Sequence, residues 1–129
     1  MAEAQFFMDN IIAHIQPNEN ARILDLACGK GRHSIYLNSK GFDVVGVDLS
    51  KNSIAEANKS QNLKLHFYQM DMRALTCDVP FNLVMNMFTS FGYFKNKSEN
   101  IEVLQGVHQI LEPNGILVID FLNASTVIN

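Results

Sequence analysis

The residues that invite a chemical reading lie in ILDLACGKGRH, Ile23 to His33. An apolar run ends at Ala27 and enters a turn, Cys28-Gly29-Lys30-Gly31, before the start of a helix. Gly29 and Gly31 can adopt positive φ and let another molecule approach the backbone. The helix beyond them offers free N–H groups to an anionic or acceptor group. The turn is not a phosphate loop, because no Gly-Lys-Ser/Thr follows at the required distance. It also misses the third glycine of a dinucleotide turn, where Ser34 stands. Lys30 is then a solvent-facing spacer.

Three acids accompany the turn. Asp48 ends a second apolar run, where a short carboxylate can accept both hydroxyls of a ribose. Asp71 follows a third, where a carboxylate can accept from an exocyclic amine such as adenine N6. Met72 beside it can offer a backbone N–H and an apolar face to the ring. Asp25, within the first run, completes the set. Each also has a structural role open to it: Asp25 as a tether accepting backbone N–H bonds, Asp48 and Asp71 as caps of the turns that follow.

The elements that must position these residues follow from periodicity. Phe7, Ile11, Ile12 and Ile15 predict a helix over 3–16, stopped by Pro17-Asn18. Strands are predicted over 22–27, 42–48, 63–69, 81–87 and 116–121. Helices are predicted over 33–39, 52–61 and 100–111, the second of these capped by Ser50. Residues 71–78 read as loop, and Pro113-Asn114-Gly115 as a turn. Strand and helix alternate with short connections, which predicts one α/β domain over 1–129, core 21–122, with a mostly parallel sheet. Ligands of such sheets bind outside the C-terminal ends of the strands.

LDLACGKGRHSIYL, GVDLS and QMDMR, then NLVMNMFTSFGYF and ILEPNGILVIDF, together resemble the class I S-adenosylmethionine-dependent methyltransferases, in their small-molecule branch. The resemblance covers about Ala21 to Leu122. It implies a Rossmann-like, doubly wound sheet in the order 3-2-1-4-5 with helices on both faces. It implies S-adenosylmethionine as cofactor and S-adenosylhomocysteine as product. Gly29 and Gly31 would pack against the methionine portion, with backbone contacts from Ala27 and Cys28. Asp48 would hold the ribose diol with Leu49 beside the adenine, and Asp71 and Met72 would read the adenine edge. Met87 and Phe88 would lie near the methyl donor. Arg32 is either a cofactor contact or an exposed helix residue paired with a local acid. Phe91 and Tyr93 either line a substrate pocket or pack the core. The resemblance also implies a C-terminal antiparallel strand pair, which is expected to be missing here, the sequence ending soon after the fifth strand. GILVIDFL then predicts an open apolar edge, and a second copy of the chain or further C-terminal sequence to cover it.

Methyl transfer needs no enzyme nucleophile, and the catalytic residues stay unassigned. His14, His33 and Tyr93 are candidate bases by proximity only. The fourth strand lacks the D/N-P-P-Y/F run of amino-methylating DNA enzymes, and a Pro-Cys nucleophile is absent. With 10 Lys+Arg against 13 Asp+Glu, giving a formal charge of −3, a nucleic-acid footprint is disfavoured. A small-molecule O or N acceptor is therefore expected. The alternatives are a non-catalytic cofactor-binding fragment or partner subunit and, further off, an NAD-dependent oxidoreductase. Two cysteines make no disulfide framework and the histidines are scattered, so no metal site is expected. With no signal peptide or membrane span in view, the protein reads as cytoplasmic.

Overall fold

The computed structural model describes residues 2–86, 97–121 and 124–128, with side chains over 8–86 and 101–119. Met87, Phe88, Phe91 and Tyr93, named above as site residues, lie outside this set. The elements are α1 (Ala2–Ile15), β1 (Arg22–Leu26), α2 (Arg32–Ser39), β2 (Asp43–Asp48), α3 (Lys51–Ala57), β3 (Leu65–Gln69), β4 (Phe81–Asn86), α4 (Lys97–Ile110), β5 (Leu111–Phe121) and β6 (Ala124–Ile128).

The sheet order is β3-β2-β1-β4-β5-β6, with the first five strands parallel. β1 (RILDL) is apolar at successive positions because it is covered on both faces. Ile23 packs with Met8 of α1, Leu37 of α2 and Ile54 of α3. Leu24 and Leu26 join Val103, Val107 and Ile110 of α4 on the other face. Burying two faces of one strand in separate apolar layers fixes its register, since a one-residue slip would exchange the two sets.

Three differences from the sequence reading have local causes. α3 stops at Ala57 and tightens into a 3-10 turn, Asn58–Ser60, where the polar run NKSQN gives nothing to bury. β5 begins at Leu111, because Pro113-Asn114-Gly115 is accommodated as an irregularity inside the strand. Leu111 pairs with Phe81 and Ile116 with Leu83, and Asn114 turns at φ 71°. The open β5 edge expected above is not found. β6 pairs antiparallel along it, Leu117 with Ile128 through Phe121 with Ala124. One antiparallel strand is thus present where the pair was expected to be missing, and the reason given for a second copy at that edge no longer holds.

Candidate ligand site at the strand ends

The glycine turn sits at the C-terminal end of β1. Ala27, Gly29 and Gly31 all have positive φ, at 56°, 59° and 87°. Cys28 N–H donates to Val47 O at 3.0 Å, which keeps the turn against β2, and Gly31 N–H donates to Cys28 O at 3.0 Å. The two glycines serve different ends. A Cβ on Gly29 would meet nothing within 4 Å, so its backbone borders open space. A Cβ on Gly31 would lie 2.7 Å from the Phe67 ring and 3.2 Å from Ala57 Cβ. Gly31 is therefore required by core packing.

Asp48, at the end of β2, braces this turn. Its Oδ2 accepts from Gly29 N–H at 2.8 Å, and its Oδ1 accepts from Ser50 N–H at 2.8 Å. The cap described as its structural alternative is thus made. A carboxylate offers about four lone-pair sites, so two hydrogen bonds leave capacity for ligand hydroxyls. Leu49 beside it is 61% exposed, a large apolar side chain held out at the same strand end.

Asp25 is buried and accepts from Ser34 Oγ–H at 2.7 Å, which ties β1 to the first turn of α2. Burial pushes its carboxyl up to about 7, against the lowering effect of the Ser34 hydrogen bond, and the neighbouring Asp48 charge adds to the rise. The same burial raises the Cys28 thiol, with the Asp25 and Asp48 charges adding to it, so Cys28 stays protonated. Arg32 is exposed at the start of α2. His33 is buried, and desolvation with the Arg32 charge holds it down at about 4. An imidazole of that basicity is neutral at pH 7 and a weak proton acceptor.

At the third strand end the structural role left open for Asp71 is made. Asp71 caps the 3-10 turn Met72–Ala74, accepting from Arg73 N–H at 2.9 Å, and it pairs with the Arg73 guanidinium at 2.6 Å. The hydrogen bond from that side chain holds the carboxyl below its ordinary range. Met72 does not offer its side chain as an open apolar face; it is buried with Leu24, Leu26 and Val107 under α4. Asp25, the turn and Asp48 form one hydrogen-bonded and electrostatically linked group, whereas the Asp71 carboxylate bonds to Arg73.

Sequence reasoning missed two residues and a groove here. Phe67 fills the space left by both Gly31 and Gly46, whose absent Cβ would lie 2.6 Å from the ring. Asn86 ends β4 fully buried, with neither amide atom hydrogen-bonded. A groove of about 920 Å³ between α4 and the start of β5, lined by Leu104, Val107, Leu111 and Leu117, lies at the opposite end of the sheet and is separate from this group. Among the described residues no three His, Cys, Asp or Glu side chains gather as a metal site, and no helix is long and apolar enough to cross a membrane.

A parallel sheet in the order 3-2-1-4-5, with a glycine turn after β1 and an acid ending β2, defines a Rossmann-like fold. Residues 23–115 match the family described as "Methyltransferase domain", and the chain belongs to that family. YqeM of Bacillus subtilis, a protein assigned provisionally to the methyltransferases, is 44% identical over 105 residues, covering 79% of this chain and 42% of YqeM. A glycine/sarcosine N-methyltransferase of Parasynechococcus marenigrum is 35% identical over 130 residues, covering 95% and 44%. Among solved structures, the S-adenosylmethionine-bound amino pentose methyltransferase CalS10 of Micromonospora echinaspora superposes with a TM-score of 0.78 at 27% identity, covering 93% of this chain and 50% of CalS10. The chain thus spans less than half the length of these curated relatives.

Proposed function

We propose that the chain binds S-adenosylmethionine at the β1–β2 strand ends and forms the cofactor half of an enzyme that methylates an O or N atom of a small molecule. The observation that carries this reading is the bond from Gly29 N–H to Asp48, which joins an open-faced glycine to a carboxylate with spare acceptor capacity. When bound, the cofactor would supply a sulfonium methyl group, the acceptor–carbon bond forming as the sulfur–carbon bond breaks and the neutral thioether leaves. The chain's residues bind, orient and exclude water, and none needs to act as nucleophile. Asp48 takes the ribose hydroxyls, and Leu49 lies against the base. The backbone from Ala27 to Gly29 meets the amino-acid end, and the buried Asp25 carboxyl faces a cationic group there. The amine acceptors in the names of the glycine/sarcosine and amino pentose relatives support an N acceptor within this class.

Calorimetry with S-adenosylmethionine, S-adenosylhomocysteine and NAD tests the reading. Binding of the two sulfur nucleosides without NAD is expected; the reverse result removes the proposal. A single substitution tests the carrying residue. Asp48→Ala is expected to weaken S-adenosylhomocysteine binding by about 1–3 kcal/mol, the loss of a charged hydrogen-bond partner for ligand hydroxyls. Unchanged affinity in a folded variant would leave Asp48 as a cap alone.

A further inference from the structure

Asn114-Gly115 is the one Asn-Gly pair in the chain, and the fold leaves it outside the sheet register. Leu111 pairs with Phe81 and Ile116 with Leu83, so residues 112–115 lie opposite Asn82 alone. Asn114 sits there exposed at φ 71°, a left-handed backbone that asparagine adopts more readily than most residues. Its carboxamide makes no hydrogen bond with the described residues. Packing holds the glycine beside it. A Cβ at 115 would lie 2.8 Å from Leu111 Cδ2 and 2.9 Å from the Glu112 carbonyl oxygen. The irregularity in β5 thus sets an unbonded amide directly before a peptide nitrogen that no side chain obstructs.

We infer that Asn114 is a site of spontaneous deamidation, which converts a neutral side chain on the rim of the α4 groove into an acid. The Gly115 peptide nitrogen gives its proton to solvent and attacks Asn114 Cγ. The new N–C bond forms as the bond from Cγ to Nδ2 breaks, and Nδ2 takes a proton from solvent and leaves as ammonia. Water then opens the cyclic imide at either carbonyl. One opening leaves aspartate; the other leaves isoaspartate, whose main chain runs through the former side-chain carbon. Either product places a negative charge beside Glu112, which lines the same groove. Asn38 supplies the contrast within the chain. It precedes Ser39, but its Nδ2–H donates to Phe42 O at 3.1 Å and to Lys64 O at 3.0 Å, and its Oδ1 accepts from Asn62. An amide bound at both ends is not free to turn onto the next peptide nitrogen.

The test incubates the chain in mildly alkaline buffer, folded and in urea, and maps conversion of each asparagine by peptide mass spectrometry with isoaspartate detection. In the folded protein Asn114 should convert at least about tenfold faster than Asn38, a barrier lower by about 1.4 kcal/mol. Its rate should rise with pH, since the attacking nitrogen must lose a proton. Urea should change the Asn114 rate by less than about threefold, because the fold leaves this amide exposed and unbonded, while Asn38 should speed up once its bonds are lost. Asn114→Gln, whose longer side chain closes a less favourable ring, should abolish the acidic species that wild type accumulates on isoelectric focusing. An Asn114 that stays intact in the folded chain and converts only in urea overturns the assignment, because the turn would then shield the site. The same acidic species forming at the wild-type rate in Asn114→Gln overturns it as well. The wild-type comparison of folded and unfolded chain stands by itself if the variant does not fold.

Discussion

Gly31→Ala is expected to lower the unfolding free energy by about 2–5 kcal/mol, the sum of a left-handed backbone penalty and a steric one. Gly31 sits at φ 87°, and the new Cβ would lie 2.7 Å from two carbons of the Phe67 ring. A flexible neighbour would swing away at little cost, but this ring is 3% exposed and cannot. On its other side it meets Gly46, where the distance to a Cβ position is 2.6 Å. Withdrawal from Gly31 therefore drives the ring toward β2. Gly29→Ala separates the two terms, since it has a similar φ of 59° and open space around it. Its cost should be only the backbone term, about 1–2 kcal/mol. Urea unfolding of both variants measures the difference. A Gly31→Ala cost no larger than that of Gly29→Ala would mean that the ring yields, and the packing account would fail. Phe67→Leu in the Gly31→Ala background should recover part of the loss, by removing the atoms that clash.

The same ring shows where sequence reasoning stops. The five parallel strands were legible, because each is a short apolar run bounded by glycine or polar residues, whereas their order was implied only by the family resemblance. Asp48 was legible too, as an acid ending a strand after a glycine turn. Phe67 was not, since an aromatic at an alternate position of β3 reads as ordinary core. Only the β2–β3 register, with Gly46 opposite Phe67, puts it over two glycines. Asn86 carries no local signal either. Its significance lies in the lack of a partner, which is a property of the assembled sheet. β6 could have been found: Ser125 to Ile128 is rich in β-branched residues and follows Leu122-Asn123. The expectation was that the antiparallel strand pair is missing, and one antiparallel strand is present. Asp71 shows the converse case, in which the residue type was right for a ligand contact and a neighbour two positions away, Arg73, already engages it. Spacing along the chain does not show that pairing, which only the folded turn brings about.

Replacing Asp25 by Asn is expected to make the protein more stable above neutrality and to remove a pH dependence that the wild type carries. The Asp25 carboxyl is raised from its ordinary 3.8 to about 7, by burial first and by the Asp48 charge in addition. Between these values the folded state keeps the proton and the unfolded chain has lost it. The unfolded state then binds fewer protons, so stability falls as pH rises. The contribution is complete below about pH 4, declines to about pH 7, and levels off above it, a span on the order of 4 kcal/mol. Asn at this position keeps an oxygen to accept from Ser34 Oγ–H and carries no charge. The wild-type stability minus that of Asp25→Asn should therefore drop by this amount between about pH 4 and pH 8, read from denaturant midpoints of both proteins across the range. A flat difference would show that the carboxyl ionises without penalty and that burial is not what governs it. The cost has a place in the proposed function. An ionised Asp25 is unfavourable only while it lacks a positive partner, and the cofactor carries cationic charge at its amino-acid end. Binding should then release a proton below about pH 7, visible as a dependence of the calorimetric heat on buffer ionisation enthalpy, and Asp25→Asn should lose both that proton and part of the affinity. A residue that weakens the empty fold and strengthens the loaded one is a stability–activity compromise set within a single side chain.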